Sequence, residues 1–283
     1  MKYLFVINPL SGGKSKRAFV RMLESRMDGL DYSVAYTARP GHAAEIAREC
    51  DGDVVVAVGG DGTVNEVVSG LLGTDKILGI IPFGSGNGLA RHLGIPMDRE
   101  KALERLLAGD IHEMDCAKVN GDVFACTCGV GLDAAVGARF AGYSGRGPLS
   151  YVRAAVAEWF GFVPSEYEIW ADGEHSTVKA SMITVANANQ WGNNAFVAPM
   201  ASVCDGFLDL VVVGPLHLYQ LPGLLVRMVT KGLRESSVVH YQRARNIVIV
   251  RENAGCAHRD GEPVTMGCRI EIGICEKAVR LKM

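Results

Sequence analysis

The sequence predicts a parallel α/β domain followed by a mostly antiparallel β domain within its 283 residues. Apolar, β-branched runs alternate with helical patterns up to about Asp115, and the run at residues 54–58 is apolar throughout. Such a run is typical of a parallel strand that is covered on both faces. Beyond Asp115, short strand patterns are separated by turn residues, which favours an antiparallel sheet. At roughly 150 residues per domain, the length also indicates two domains.

The first domain, residues 1–115, is expected to alternate strands with helices. We predict strands at residues 3–7, 32–36, 54–58 and 77–81, and helices at residues 16–26, 42–49, 64–72 and 99–107. The last of these helices has the clearest boundaries, because Asp98 precedes it as an N-cap and Gly109 follows it. Right-handed crossovers would connect the parallel strands.

The second domain, residues 116–275, begins with a hairpin signal. Asn120-Gly121 separates two short apolar runs, and both central positions of a type I′ turn favour a positive φ. We predict strands at residues 117–119, 123–128, 167–171, 177–185, 208–213, 247–250 and 270–274, and helices at residues 151–160 and 216–231.

Composition excludes several classes of protein. With 48% hydrophobic and 21% charged residues, the chain has material for a buried core and is not disordered. Its 29 Lys and Arg residues against 31 Asp and Glu residues give a net charge of −2, so no overall basic charge indicates a nucleic-acid partner. No apolar run approaches the roughly 18 residues of a transmembrane segment. Eight scattered cysteines are typical of reduced thiols, and we expect a cytoplasmic protein.

Two glycine-rich turns follow two strands of the first domain. Gly59-Gly60-Asp61-Gly62-Thr63 comes after the strand at 54–58, and Gly84-Ser85-Gly86-Asn87-Gly88 after the strand at 77–81. Parallel strands end at the same sheet edge, where backbone N–H groups of glycine turns can bind phosphate, and Asp61 would sit near a metal ion or its water. Either turn alone could be an ordinary strand-to-helix turn, but the pair favours a nucleotide. The common P-loop and dinucleotide motifs are not present.

These turns resemble motifs of the diacylglycerol kinase catalytic-domain family, which includes soluble bacterial diacylglycerol kinases, sphingosine kinases and ceramide kinases. The matching segments are 8–13, Thr37 with 41–43, 59–71, 81–91, 129–134, 185–188, 198–199, 205–209 and 260–262. They follow the family's order across nearly the whole chain, which is more specific than any single motif.

The resemblance implies an enzyme that uses ATP and Mg²⁺ to phosphorylate the hydroxyl group of a lipid alcohol, either diacylglycerol-like or a sphingoid base. It implies an active site in a cleft between an α/β domain and a β-sandwich domain, with residues 276–283 returning to the first domain. The implied nucleotide-binding residues are Asn8, Thr37, Gly59, Gly60, Gly62, Thr63, Glu66, Gly84, Ser85 and Asn87.

The resemblance also assigns roles to four acidic residues. Asp61 would reach the active-site Mg²⁺ through water, Asp260 would be the general base, and Glu262 would help bind the metal or nucleotide. Without its motif series, the Asp260-Gly261-Glu262 segment would be read as a surface turn. Asp205 could hold a structural Mg²⁺, or it could be a turn residue. Cys204 stands where many relatives have a second acidic or amide residue, which leaves few oxygen ligands.

Two other functions stay open. An NAD kinase shares the Gly-Gly-Asp-Gly-Thr turn, although Asn65-Glu66 continues the lipid-kinase form of the motif. A catalytically silent nucleotide- or lipid-binding module is the other alternative.

We expect transient contact with the inner face of the membrane, where the lipid substrate lies. Lys14, Lys16, Arg17 and Arg21 could meet anionic headgroups or form a solvated helix face. Residues 216–228 could offer apolar surface to acyl chains or pack in the core. Sheet edges of the second domain would allow a homodimer, though nothing in the sequence requires one.

Overall fold

The computed structural model describes residues 1–13, 16–141 and 157–283. They divide into a first unit, Met1–Asp115 with Glu276–Met283, and a second unit, Cys116–Cys275. Lys14 and residues 151–156 of the helix expected at 151–160 lie outside the described residues, and residues 157–159 are helical.

The first unit contains a parallel sheet with the strand order β2-β1-β3-β4. Its strands are β1 (Tyr3–Ile7), β2 (Tyr32–Tyr36), β3 (Val54–Gly59) and β4 (Ile77–Pro82). Every residue of β1, β3 and β4 is buried, whereas the edge strand β2 is partly exposed. The end of the long last strand, β16 (Arg269–Lys282), pairs in parallel with β4 through Arg280 and Leu281. The predicted parallel α/β sheet is confirmed.

Helices connect these strands. They are α1 (Arg17–Arg26), α2 (His42–Glu49), α3 (Asp61–Leu71), α4 (Gly88–His92) and α5 (Arg99–Ala108), and Ser11–Gly13 forms a 3₁₀ turn. The carboxylate of Asp98 accepts the Lys101 N–H at 3.0 Å, which is the N-cap expected for α5. Helix α3 begins three residues earlier than predicted, because the first glycine turn forms its first turn.

Helices α2 and α3 pack closely at Gly70. A Cβ added to Gly70 would lie 2.4 Å from the carbonyl oxygen of Ala44 and 2.9 Å from the Cβ of Ala47. Glycine costs about 1 kcal/mol relative to alanine inside a helix. The close approach of the two helices explains why glycine stands here despite that cost.

The second unit contains two antiparallel sheets. One has the order β12-β11-β10-β7-β14-β15, formed by β7 (Thr127–Gly131), β10 (Met182–Ala186), β11 (Leu208–Val213), β12 (Val239–Ala244), β14 (Gly255–Arg259) and β15 (Glu262–Met266). In the other, β8 (Ser165–Ala171) lies between β9 (Glu174–Ala180) and β13 (Asn246–Arg251), and β13 pairs with the start of β16. A hairpin of β5 (Ile111–Val119) and β6 (Asp122–Phe124) joins β16.

One buried cluster fills the space between these sheets. Ile183 and Leu210 come from the first sheet, and Ile169 and Ile249 from the second. The second unit is therefore a β-sandwich, which confirms the mostly antiparallel domain predicted from the sequence.

Turn chemistry is as predicted at the start of this unit. Asn120-Gly121 joins β5 to β6 with φ values of 49° and 93°, and Asp172-Gly173 joins β8 to β9 with 48° and 92°. Two predicted strands are each divided in the structure. Residues 123–128 contribute to β6 and β7, and residues 177–185 to β9 and β10.

The helical parts of this unit differ from expectation. Helix α6 (Leu132–Ala141) has no counterpart in the prediction. The helix expected at residues 216–231 is a 3₁₀ turn at Leu218–Gln220 followed by α7 (Leu221–Val229), whose early Pro222 suits a first helical turn. Among the described residues, no helix is long and apolar enough to span a membrane.

We predict that Gly70→Ala lowers the free energy of unfolding by about 1–3 kcal/mol, because the added methyl group must push α2 away from α3. Urea denaturation would measure this change. Gly137→Ala in α6 is the matched control, since no described atom lies within 4 Å of its added Cβ. The control should keep or raise stability by up to about 1 kcal/mol. Equal effects of the two substitutions would contradict the proposed contact.

A buried carboxylic acid makes stability depend on pH. Asp209 of β11 lies opposite Arg243 of β12, and burial raises the pKa of Asp209 to about 6 despite the attraction of the guanidinium. Unfolded aspartate titrates near pH 3.9, so the native state binds more protons than the unfolded state between these values. Stability contributed by this group is therefore present below about pH 4 and is lost as the pH rises through about 6.

We predict that Asp209→Asn removes this dependence. Between about pH 4 and about pH 7.5, the wild-type protein should lose about 2–3 kcal/mol of unfolding free energy relative to the variant. Urea denaturation at both pH values would test this, with the exposed Asp75→Asn as control. A difference between wild type and Asp209→Asn that stays constant with pH would show that Asp209 is not responsible.

Candidate active site

The two glycine turns of the first unit pack backbone against backbone. They follow the adjacent strands β3 and β4, and the carbonyl oxygen of Gly59 accepts the N–H groups of Phe83 at 2.7 Å and Gly84 at 3.2 Å. A Cβ on Gly84 would lie 2.5 Å from the Cα of Gly60. Gly84 therefore needs to be glycine, and a Cβ on Gly60 would make a tight 3.1 Å contact with the Gly84 Cα. The structure brings together the two turns that the sequence places at one sheet edge.

Asp61 connects these turns. Its carboxylate accepts the Asn87 N–H at 2.8 Å and the Gly88 N–H at 2.6 Å, so it caps the start of α4 from the first residue of α3. Asn87 takes a left-handed conformation, with φ and ψ both at 50°, which aims the two N–H groups at the carboxylate. Asp61 is only partly buried. A carboxylate held in this way can also meet a hydrated cation.

The residues around Asp61 fit a phosphate group with its Mg²⁺. Glycines whose missing Cβ atoms leave backbone N–H groups accessible suit a phosphate, and α3 directs the positive end of its dipole toward the same turn. Mg²⁺ is usually held by one or two carboxylates together with substrate phosphates, and Asp61 supplies such a carboxylate.

Asn8 and Thr63 join the end of β1 to the start of α3. The Asn8 Nδ2 donates to the Thr63 Oγ1 at 3.1 Å, and the Asn8 Oδ1 accepts the Leu10 N–H at 2.9 Å. Thr37 follows β2 at the same sheet edge, where its N–H donates to the carbonyl oxygen of Ile7 at 3.0 Å. Ser85 is exposed in the second turn. The predicted nucleotide-binding residues at the ends of β1 to β4 thus share one edge of the sheet.

Glu66 has a structural contact that the sequence did not indicate. Its carboxylate accepts the Gly41 N–H at 2.9 Å and the Ala43 N–H at 3.0 Å, which ties α3 to the start of α2. These two bonds hold the segment that resembles the second nucleotide motif, residues 41–43, against α3.

The basic residues near α1 behave in two ways. Lys16 is buried, donates to the carbonyl oxygen of Ser11, and lies 4.5 Å from the centre of the Phe83 ring. Burial, with a smaller contribution from Arg99, lowers the pKa of Lys16. Arg17 and Arg21 are exposed, and with Lys16 they line a cavity of about 530 Å³.

In the second unit, Asp260 occupies the Asp-Gly turn between β14 and β15. Its Oδ2 accepts the Ala125 N–H at 2.8 Å, and its Oδ1 accepts the N–H groups of Cys126 at 2.7 Å and Thr127 at 3.0 Å. These bonds explain why the predicted strand at residues 123–128 is interrupted. These three bonds occupy three of the roughly four acceptor positions of the carboxylate, so the backbone holds Asp260 firmly.

Glu262 is the first residue of β15 and is exposed. Across the hairpin it faces Arg259, which forms a 2.6 Å ion pair with Asp122. Glu262 is two residues after Asp260 and is more exposed to solvent than Asp260.

Next to Asp260 lies a buried polar cluster that the sequence reasoning missed. The Asp133 Oδ2 lies 2.9 Å from the His258 Nε2 and accepts the Thr184 Oγ1–H at 2.9 Å. Gly129 leaves room for this cluster, because an added Cβ would lie 2.5 Å from the Asp133 Oδ2. His258 is two residues before Asp260, so the cluster anchors the strand that carries Asp260. The 129–134 motif was the only sequence signal for it.

Asp205 has a cation partner of its own. Its carboxylate pairs with the Arg243 guanidinium and accepts the Phe207 N–H at 3.1 Å. The neighbouring Cys204 Sγ lies 3.3 Å from the Ser202 Oγ. Among the described residues, no group of three or more His, Cys, Asp or Glu side chains could hold a metal. Because the Asp205 carboxylate is paired with Arg243, it leaves few oxygen ligands for a structural Mg²⁺, and that site stays a prediction.

Comparison with known proteins covers both units. Residues 2–119 match the diacylglycerol kinase catalytic domain, and residues 126–275 match the YegS C-terminal NAD kinase beta sandwich-like domain. The diacylglycerol kinase of Bacillus subtilis (strain 168) is 30% identical over 273 residues, which is 91% of this chain and 88% of that protein. A probable lipid kinase YegS of Escherichia fergusonii is 30% identical over 217 residues, covering 73% of this chain and 72% of that protein.

A solved structure supports the same fold. The crystal structure of a diacylglycerol kinase from Bacillus anthracis (strain Sterne) has a TM-score of 0.79 at 22% identity, covering 99% of this chain and 96% of that one. Both domain matches and the relatives at 30% identity lead to one conclusion: the chain belongs to the diacylglycerol kinase family of lipid kinases.

Proposed function

We propose that this protein transfers the γ-phosphate of ATP to the hydroxyl group of a lipid alcohol in an Mg²⁺-dependent reaction. The observation that carries the proposal is Asp61, a carboxylate fixed between two glycine turns at one sheet edge. A diacylglycerol-like lipid is the first choice of substrate, because the 30% identical relative from Bacillus subtilis is named a diacylglycerol kinase. A sphingoid base is the second.

In this proposal, the first unit binds the nucleotide. The backbone of residues 59–63 and 84–87 binds the phosphates, and Asn8 and Thr37 line the same site. Bound Mg²⁺ would neutralise charge on the β- and γ-phosphates, with Asp61 holding its water. Phosphoryl transfer needs mainly positioning and charge neutralisation, so a rigid backbone cradle suits it.

Asp260 is the proposed general base. Its carboxylate would accept the proton of the lipid hydroxyl as the oxygen attacks phosphorus. Its place at the end of the motif series supports this role, and the three N–H donors of residues 125–127 hold the carboxylate in one orientation. Glu262, beside it, would help bind the metal or nucleotide.

Phosphorylation of NAD is the second candidate activity. The match of residues 126–275 to a domain described as NAD kinase-like favours it, whereas the relatives named as lipid kinases favour the first proposal. A silent binding module is disfavoured, because Asp61, Asp260 and Glu262 are all present.

We propose a cytoplasmic location with transient contact to the inner face of the membrane. A lipid substrate requires such contact, and the exposed Arg17 and Arg21 would favour anionic headgroups.

We predict that labelled ATP transfers phosphate to a diacylglycerol in a panel of lipid alcohols and NAD. Asp260→Asn should lower kcat by about 10²–10⁴-fold, because the general base is lost. Its affinity for ATP, measured by calorimetry, should stay within about twofold of wild type, because the nucleotide is assigned to other residues.

Asp172→Asn is the matched control for this substitution. Asp172 occupies an equivalent Asp-Gly turn, and its carboxylate also accepts backbone N–H groups, from Arg245 at 3.0 Å and Asn246 at 2.8 Å. It should keep full activity with a similar change in melting temperature. Full activity of Asp260→Asn would show that Asp260 is not the general base. Labelling of NAD and of no lipid would favour NAD kinase activity over lipid kinase activity.

We predict that Asp61→Ala lowers kcat/KM by about a hundredfold or more and removes the response to Mg²⁺ concentration. The variant also loses a helix cap, which costs about 1 kcal/mol. Asp98→Ala removes an equivalent cap from α5 and separates the two effects. Asp98→Ala should be destabilised as much as Asp61→Ala and should stay fully active. Equal loss of activity in both variants would show that Asp61 has only a structural role.

A further inference from the structure

The outer face of α7 and the turn before it is apolar and exposed. Tyr219 is 78% exposed, Val229 60%, Val226 59% and Leu218 52%. Tyr219, the exposed Pro222, Val226 and Val229 follow one another at intervals of three or four positions, so they share one face, and Leu218 lies next to Tyr219 in the preceding turn. The opposite face is buried through Leu221 and Met228, so α7 has one apolar stripe in the core and a second on the surface.

The same segment is cationic. Arg227 in α7 and Lys231 and Arg234 after it are exposed, and no acidic residue occurs in the sequence between Asp209 and Glu235. The ammonium group of Lys231 lies 4.7 Å from the centre of the Phe196 ring, at the end of the helix. Exposed apolar residues and cations in one segment without acidic residues are typical of helices that lie in the interface of an anionic bilayer.

We infer that the outer α7 face, comprising Leu218, Tyr219, Pro222, Val226 and Val229 with the cations Arg227, Lys231 and Arg234, docks onto an anionic lipid bilayer. The inference rests on the proposed function, since a lipid substrate brings this protein to a bilayer. Nine residues are too few to cross a membrane, so α7 lies along the surface. Tyr219 is of the residue type enriched at the headgroup level.

Charge decides between a bilayer and a second copy of the chain. In a two-fold symmetric contact, the same patch meets itself, so the cations of both copies would be brought together in one interface. The segment offers no acidic residue to neutralise them. An anionic leaflet supplies the opposite charge, at about 1 kcal/mol, or roughly fivefold in affinity, per Lys or Arg.

Vesicle binding without ATP tests this inference. The full-length protein is sedimented with vesicles of equal parts phosphatidylglycerol and phosphatidylcholine, and with phosphatidylcholine alone, at low and high salt. We expect binding to the anionic vesicles that weakens with salt. Val226→Glu combined with Val229→Glu, and separately Arg227→Gln combined with Lys231→Gln, should each weaken partitioning by about tenfold or more.

Leu30→Glu is the control, because Leu30 is an apolar residue 45% exposed in the first unit. It should bind vesicles like wild type, and melting temperatures verify that all variants fold. Wild type that ignores anionic vesicles, or α7 variants that bind as wild type does, would overturn the inference. So would α7 variants that bind normally but lose a dimer seen by light scattering, which would assign the face to a second copy.

Kinase assays separate this inference from the proposed function. The α7 variants should phosphorylate a short-chain, monomerically dissolved diacylglycerol at the wild-type rate and lose activity only on vesicles. Vesicle binding that depends on α7 in a protein inactive on every lipid would refute the proposed function alone. An active kinase whose vesicle binding is independent of α7 would refute the docking face alone.

Discussion

The bonds between the Asp61 carboxylate and two backbone N–H groups are the constraint on which the candidate site depends. They form only because Gly60 and Gly84 lack side chains, so the turns after β3 and β4 can touch. Helices α3 and α4 both start at this contact, and their direction over the sheet follows from it. A substitution at either glycine would therefore separate the turns, lose both hydrogen bonds and displace the backbone that we propose binds phosphate.

Carboxylates that bind backbone N–H groups recur through the chain. Asp260 accepts three such bonds in the second unit, while Asp172 and Glu66 each join neighbouring segments in the same way. Asp172 shows that the carboxylate of an Asp-Gly turn can bind backbone N–H groups and join two segments without any part in catalysis. Hydrogen bonding therefore does not distinguish a reacting carboxylate from a structural one. Asp61 and Asp260 differ from the others by their place in the motif series. Substitution of matched residues compares the structural role of a carboxylate with its role in the reaction.

The sequence predicted the parallel sheet well, because strands buried on both faces, such as β1 and β3, are apolar at every position. Strands β12, β14 and β15 were missed, since polar residues are mixed through them and no alternation is visible. Helix α4 has five residues, which is too short for a helical period. In the candidate site, the glycine turns were predicted from their types and spacing. The Asp133–His258 contact joins residues 125 positions apart, so it could not be found before the fold was known.

The net charge of −2 is close to neutral, but the charges are not evenly distributed along the chain. At Asp205, the chain supplies its own cation through Arg243, where the family resemblance had suggested a metal ion. This guanidinium is part of the fold, so it balances the Asp205 charge whatever the metal concentration. Around α7 the opposite holds, because its cations have no acidic neighbour in the sequence segment. Charges of the first kind stabilise the fold, whereas charges of the second kind are exposed, and the partner that we infer for them is an anionic lipid surface.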